Sequence, residues 1–256
     1  MAKTSVTGIA SVGIIFRAVN PNEIFIEVKD DGHPIKLVRR QLCFIGGNWI
    51  GEGARNDKNT FDTFKRELDE ELSFDRPCRD SVELNLLGHA DTEQFAPVPQ
   101  PVAKVLSVDE EDLDNLKRAI VMSATPFGDF LNTVPKTALD AADPTNKRDG
   151  FTSLISYWVA PLQEDVWESL LRLQRKFKNL SNESITLVTS LTEIVQTNTR
   201  TSFAHDRVLQ RFFLHHGLEA AKNLPLVPDL SSVEAGMPLS TYNDYLERYE
   251  VAKRPV

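Results

Sequence analysis

Apolar residues along the first part of the chain fall in short runs separated by turn residues. Ile9–Ala18 is largely apolar and β-branched, and Asn20-Pro21-Asn22 leads from it into Glu23–Val28. Runs of this length, divided by turn residues, predict adjacent strands. A short buried strand over Leu42–Ile45 is predicted to end at Gly46-Gly47. Further strands are predicted over 82–87, 153–161 and 184–189.

Segments with helical periodicity separate these strands. Asn59 is a predicted N-cap with Asp62 at the capping-box position, and Ser107 with Glu110 predicts a second helix start. The first of these helices has one apolar face, made of Phe61, Phe64, Leu68 and Leu72. Other helices are predicted over 164–177, over about 202–216 and in the aromatic segment 242–249. Because strands and helices alternate, we expect a layered α/β (or α+β) domain.

The segment 92–149 has a different pattern. Prolines punctuate it, and an irregular run is predicted through Pro126, Pro135 and Pro144. We interpret it as a partly helical insertion, at about 92–149, in one domain that covers residues 1–222. Residues 223–256 are then a C-terminal extension with a short helix, whose tyrosines dock on the body or on a second subunit in a homodimer.

Composition and charge narrow the class of protein. A net charge of −8 and a pI near 5.2 argue against a broad nucleic-acid surface. No apolar run approaches the roughly 18 residues that cross a bilayer, and we see no secretion signal. Cys43 and Cys78 are too few for a disulfide framework. We therefore expect a cytoplasmic protein without a membrane partner.

The chemistry is concentrated in Arg66-Glu67-Leu68-Asp69-Glu70-Glu71, which follows the glycine pair. Glu67 and Glu71 are one helical turn apart, and Glu70 lies beside them. Three carboxylates on one arc repel each other, and Mg²⁺, which prefers oxygen ligands, would relieve that repulsion. A solvated acidic helix face explains the same cluster without a metal.

Together with the glycine pair, this segment resembles the Nudix box, G-x5-E-x7-R-E-U-x-E-E-x-G-U, where U is aliphatic. Gly46 takes the first position, Glu52 lies six residues later, and residues 66–71 reproduce the R-E-U-x-E-E core. Two departures are plain: thirteen residues separate Glu52 from Arg66 instead of seven, and Ser73 replaces the second glycine. The resemblance implies a Nudix-like α/β/α sandwich with a mixed sheet.

The resemblance also implies a division of roles. Glu67, Glu70 and Glu71 would hold Mg²⁺ or Mn²⁺, completed by a backbone carbonyl at Gly46 or Gly47. Glu52 and Arg66 would brace the helix that carries the glutamates. Glu70 and Glu71, with this bracing pair, are thus the predicted catalytic residues. The general base is open among Glu70, Glu93, Glu164 and Glu193.

The implied function is metal-dependent hydrolysis of a diphosphate bond in a small nucleotide-like molecule, a nucleoside diphosphate linked to another group. One alternative is a Nudix-fold module that senses a nucleotide without cutting it. A second alternative is an RNA-cap-removing hydrolase. We expect the insertion at 92–149 and the loop Gly53–Lys58 to border the carboxylate cleft and to select the group attached to the diphosphate.

Overall fold

A computed structural model describes residues 4–50, 57–73, 103–181, 183–203, 205–226, 231–236 and 242–251 of the protein. The strand predicted over 82–87 and the first part of the segment 92–149 lie outside these residues. Within the described part of the chain, no helix is both long and apolar enough to cross a membrane.

Ten strands form in the described residues. They are listed in chain order: β1 (Thr4–Val6), β2 (Gly8–Arg17), β3 (Asn20–Val28), β4 (Leu42–Cys43), β5 (Ile45–Asn48), β6 (Thr125–Val134), β7 (Phe151–Leu162), β8 (Ile185–Ser190), β9 (Ser231–Gly236) and β10 (Tyr249–Val251).

Seven α-helices alternate with these strands. They are α1 (Thr60–Glu71), α2 (Ala103–Ser123), α3 (Lys136–Ala142), α4 (Glu164–Phe177), α5 (Leu191–Gln196), α6 (His205–His215) and α7 (Tyr242–Arg248). Two short 3-10 helices, Lys36–Val38 and Glu219–Asn223, complete the regular structure of the described residues.

Eight of the strands form one mixed sheet. Its main order is β4-β3-β2-β7-β6-β9; β5 also pairs with β2, and β8 also pairs with β3. The two central strands, β2 and β7, run parallel over Gly8–Arg17 and Ser153–Leu162, and the other pairings in this sheet are antiparallel. The remaining strands, β1 and β10, form a separate parallel pair.

Helices cover both faces of the sheet. Since successive side chains of a strand point to opposite faces, neighbouring residues of one strand pack against different helices. On β2, Ile14 packs under α5 and α6, whereas the next residue, Ile15, packs under α1, α2 and α4. The same alternation on β3 places Ile24 on the first face and Phe25 on the second. The fold is therefore the expected α/β/α sandwich with a mixed sheet.

Most of the predicted elements are confirmed. The helix predicted over 164–177 has these bounds in the structure, and Asn59 caps α1 by accepting a hydrogen bond from the Asp62 amide at 2.9 Å. The strands predicted at 9–18, 23–28, 153–161 and 184–189 form within one to three residues of their expected ends.

The prediction of an irregular run through Pro126 and Pro135 is wrong. β6 occupies Thr125–Val134 and lies between β7 and β9. Pro126 sits at a register shift near the start of the strand, where a missing amide costs little. Pro135 follows the strand and is the N-cap residue of α3. Part of the segment 92–149 thus belongs to the sheet, while the proposed domain bounds stay a prediction.

Two boundary predictions also need correction. Ser107 does not cap its helix, because α2 begins at Ala103 and continues through it. Gly46-Gly47 does not end a strand as expected but lies inside β5, where the two glycines pair with Val12 and Ser11 of β2. The ladder formed with β2 extends the strand beyond the apolar run that predicted it.

Candidate functional site

The candidate site is the polar side of α1 where it lies against β5. The apolar side of this helix anchors it, since Phe64, Leu68 and the following Leu72 are buried against the sheet. Arg66, Glu67 and Glu70 share the other side. The spacing that buries the apolar residues therefore also fixes the direction of the charged ones.

The glycine pair allows α1 to approach β5 closely. Gly46 has a φ of 140°, and a Cβ there would overlap the backbone of Ser11 and Val12 on β2. At Gly47, a Cβ would lie 2.5 Å from the carboxylate of Glu67. The two glycines thus have different roles: Gly46 accommodates the neighbouring strand, and Gly47 leaves room for an acidic side chain.

Arg66 is braced by Asp57. Its Nε donates to Asp57 Oδ1 at 3.0 Å, and its Nη2 donates to Asp57 Oδ2 at 2.9 Å. Asp57 is itself fixed, because its carboxylate accepts from the Ile50 amide at 3.3 Å and from Thr63 Oγ1 at 3.1 Å. Burial opposes the charge on Arg66, but Asp57 and Glu67 hold the pKa of the guanidinium above its usual value. This two-point pair is geometrically specific.

Asp57 is the residue of the candidate site that reading the sequence missed. Glu52, the predicted partner of Arg66, lies outside the described residues; among those described, Asp57 forms a two-point pair with Arg66. The family pattern places its acid eight residues before the arginine, and Asp57 stands nine before Arg66. Counting eight residues back from Arg66 reaches Lys58, so the pattern does not mark Asp57 from this direction either.

Glu67 and Glu70 converge on the same guanidinium nitrogen. Arg66 Nη1 donates to Glu67 Oε1 at 2.7 Å and to Glu70 Oε2 at 3.0 Å. The Glu70 side chain is 35% exposed and the Glu67 side chain is 15% exposed. Burial raises the pKa of Glu67, and Arg66 offsets only part of that shift. Two carboxylates therefore lie side by side at the surface end of the site.

Glu71 points in another direction, into the protein. Its Oε2 accepts from the Gly46 amide at 2.9 Å, and its Oε1 lies 3.4 Å from the ammonium of Lys29. Lys29 also donates to Glu27 Oε2 at 2.9 Å. Burial and the Glu27 carboxylate raise the pKa of Glu71 well above its usual value. Burial disfavours the Lys29 ammonium, but the two glutamates raise its pKa well above the usual value.

The donor set fits a divalent ion at two of its three predicted glutamates. Glu67 and Glu70 are adjacent, and Glu67 lies over Gly47, where no Cβ intrudes. Glu71 fits less well as placed, because both of its oxygens are engaged inside the protein, by Lys29 and the Gly46 amide, and its side chain is only 3% exposed. Among the described residues, no three His, Cys, Asp or Glu side chains are grouped closely enough to hold a metal ion.

The other candidates for the general base lie elsewhere. Glu164 starts α4 and pairs with Arg17, and Glu193 closes the capping box of α5 with Ser190 on the opposite face of the sheet. Glu93 and the loop 53–56 lie outside the described residues. Of the four candidates, the described structure therefore brings only Glu70 to the box.

A second buried polar group lies under α6. Tyr157 OH is 2.8 Å from His205 Nδ1 and accepts from Asn132 Nδ2 at 3.1 Å. Cys43 Sγ lies 3.7 Å from His205 Nε2. Burial, helped by the positive charge of Lys29, lowers the pKa of His205 to about 3, and burial raises the pKa of the Cys43 thiol to about 11. Both groups are therefore neutral near pH 7, and no sequence motif marked them.

An open groove of about 660 Å³ runs along the outer side of α4. Its cationic side chains are paired, since Arg172 contacts Asp112 and Lys176 contacts Asp109. It lies on a different helix from the box carboxylates. The groove therefore gives no support for a second reaction site.

Comparison with known proteins finds similarity at the level of structure and not of sequence families. No protein-family model matches the chain, and no curated protein matches it. Among solved structures, it is similar to the crystal structure of a NUDIX hydrolase from Alicyclobacillus acidocaldarius, at 15% sequence identity and a TM-score of 0.40. The match covers 89% of this chain and 100% of that chain.

Proposed function

We propose that this protein is a Nudix-type hydrolase that uses Mg²⁺ or Mn²⁺ to cleave a diphosphate bond in a small nucleotide-like molecule. The proposal rests on one observation, the set of contacts that Arg66 makes. One guanidinium, fixed by Asp57, holds the Glu67 and Glu70 carboxylates together beside the glycine pair. An acidic helix face that was merely solvated would not need a buried aspartate to orient its arginine.

The proposed metal ligands are Glu67 and Glu70, with a backbone carbonyl of the glycine pair. A bound divalent ion would neutralise diphosphate charge and lower the pKa of a bound water. The residues of the chain prepare that site. Arg66 fixes the carboxylates, Asp57 fixes Arg66, and Gly47 leaves the space that Glu67 occupies.

Glu70 is the proposed general base. Its carboxylate is the more exposed of the pair, so a water molecule can reach it. Glu67 is more buried and lies against Gly47, which suits a ligand that stays in place. Arg66 contacts both and therefore acts as a positioning residue in this scheme.

A panel of diphosphates tests the proposal. Purified protein is incubated with ADP-ribose, NADH, dinucleoside polyphosphates, CoA, nucleotide sugars and nucleoside triphosphates, with and without Mg²⁺ or Mn²⁺. Products are identified by phosphorus NMR. We expect cleavage of at least one diphosphate, dependent on the metal. Metal-independent cleavage, or none across the panel, contradicts the proposal.

A matched pair of variants ties activity to the site. Glu67→Gln keeps the side-chain shape but removes a ligand charge, and should lower turnover by at least about a hundredfold. Asp69→Asn changes an exposed carboxylate on the same helix, which pairs with Lys117, and should stay within about twofold of wild type. Equal effects of the two substitutions would contradict a role for Glu67.

A second candidate function is nucleotide sensing without hydrolysis. It is favoured by the pairing of each box glutamate in the described residues, Glu67, Glu70 and Glu71, with Arg66 or Lys29. A sensing module would bind a member of the same panel in Mg²⁺ without releasing products. Calorimetry beside the product assay separates the two functions.

A further inference from the structure

Glu71 differs from its two neighbours in what its carboxylate contacts. Both of its oxygens are engaged inside the protein, one by the Gly46 amide at 2.9 Å and one by Lys29 Nζ at 3.4 Å. Its side chain is only 3% exposed, against 35% for Glu70. To bind an ion beside Glu67, Glu71 would have to give up or lengthen its contact with Lys29, because an ammonium and a divalent cation repel each other.

The Lys29 ammonium is the counter-ion of the Glu71 carboxylate. Lys29 follows β3, is largely buried, and lies between Glu71 and Glu27. Glu27 is fully buried, and its Oε1 has no hydrogen-bond partner in the described residues. Removing Lys29 would leave two buried carboxylates without a compensating charge, which is strongly destabilising.

The surroundings of Glu71 also restrict its movement. It is the last residue of α1, and the following residues are tied to another segment: Leu72 bridges to Ser181, and the Ser73 amide donates to the Leu180 carbonyl at 3.2 Å. On the other side, Gly46 cannot shift easily because it packs on the backbone of β2. The carboxylate therefore joins two fixed elements.

We propose that Glu71 is a buried strut between α1 and β5, neutralised by Lys29, and that it does not ligate the metal. Its role is to hold the glycine pair against the helix, so that Glu67, paired through Arg66 with Glu70, meets the backbone of Gly47 at a fixed separation. The part of this inference that concerns the metal rests on the proposed function. The structural role of Glu71, as a link between α1 and β5, does not depend on the proposed function.

Metal binding is measured by calorimetric titration with Mn²⁺ alone. We expect Glu67→Gln and Glu70→Gln to weaken binding at least about tenfold, and Glu71→Gln to stay within about threefold of wild type. A loss with Glu71→Gln equal to that with Glu67→Gln overturns the inference. If the wild-type protein binds no Mn²⁺, the proposed function fails, and the strut is judged by the unfolding measurements below.

Thermal unfolding in EDTA tests the strut without any metal. Lys29→Met should lower Tm by about 10 °C, and adding Glu71→Gln to it should recover part of that loss because fewer buried charges remain uncompensated. Lys65→Met, which breaks a surface pair with Asp62, is the matched control and should leave Tm within about 1 °C. An unchanged Tm for Lys29→Met overturns the strut.

A measurement on the wild-type protein covers the case in which the variants do not fold. The Gly46 amide should be protected from hydrogen exchange, and its exchange rate, followed by NMR, should stay the same when Mg²⁺ is added. If Glu71 turned to the metal, the amide would lose its acceptor. Faster exchange in Mg²⁺, by about tenfold or more, would then overturn the inference.

Discussion

The two faces of the central sheet bury polar groups in different ways. Under α1, the buried set is charged: Lys29 lies between Glu27 and Glu71, with Arg66 and Asp57 paired nearby. Under α6, the buried set of Tyr157 and His205 is neutral, and aromatic rings surround it. Both faces have a continuous apolar core, so the apolar packing does not distinguish them.

This difference shows on which side of the sheet buried ion pairs raise the free energy of the folded protein. Burying an ion is expensive unless it is paired, whereas a neutral hydrogen bond is tolerated in an apolar core. The charged set includes Arg66 and Glu71 of the box, and the charge of Lys29 also reaches His205. Under α6, Asp206 is the buried ionisable neighbour of the Tyr157 and His205 pair.

The largest expected effect tests whether the two cores are equivalent. Phe64 on α1 and Phe212 on α6 are both fully buried. Phe64→Ala and Phe212→Ala should each lower the free energy of unfolding by about 4 kcal/mol, from lost burial and the cavity left behind. Urea unfolding measures both. A cost below about 1 kcal/mol on one face would show that its core is loosely packed.

The next effect concerns the glycine pair. Gly46→Ala should cost about 3 kcal/mol, because its positive φ is strained for alanine and the new Cβ overlaps β2. Gly217 is the matched control: its φ is 74°, and a Cβ there meets no atom within 4 Å. Gly217→Ala should therefore cost only about 1 kcal/mol. Equal losses in urea unfolding would mean that contact with β2 is unimportant.

The free energy of unfolding should depend on acid through His205, which is buried under α6. Because the pKa of His205 is about 3 in the folded protein, below its ordinary value of about 6.5, the unfolded chain takes up the proton first on acidification. Stability from this group is complete above about pH 6.5 and is lost as the pH falls toward 3, with a loss of about 2 kcal/mol between pH 7 and pH 5.

Urea unfolding at the two pH values checks this expectation. His205→Gln removes the titration, so its loss between pH 7 and pH 5 should be about 2 kcal/mol smaller than that of wild type. His215→Gln, at an exposed histidine of the same helix, is the control and should behave as wild type. If His205→Gln retains the full pH dependence, another group causes it.

The smallest effect compares one helix cap on each face. Asn59 caps α1 by accepting from the Asp62 amide, and Ser190 caps α5 by accepting from the Glu193 amide. Asn59→Ala and Ser190→Ala should each cost about 1 kcal/mol in urea unfolding. A much larger cost for Asn59→Ala would indicate that the cap also holds the box helix in place.

Elements with a clear apolar period were predictable from sequence, and those fixed by distant partners were not. The α1 face and its Asn59 cap follow from local spacing. β6 contains Pro126 and lacks clean alternation, and it forms because β7 and β9 supply ladder partners on both sides. Strand pairing of this kind cannot be inferred from one segment alone.

The same limit applies to the site. The sequence indicated Arg66, Glu67 and Glu70 as a group, and the structure brings them together. It did not reveal Asp57, since the motif directed attention to Glu52. It also did not reveal that Glu71 faces Lys29, a contact between residues far apart in the chain. Charge pairs formed through the fold leave no local spacing to detect.

The late position of β9 and α7 in the chain has a consequence for synthesis. β9 completes the sheet beside β6, and Tyr245 of α7 is fully buried, with its hydroxyl 2.9 Å from Ser156 Oγ on β7. A ribosome releases these segments after the rest of the described fold. We therefore expect nascent chains that stop before residue 231 to expose the β6 edge and bind chaperones.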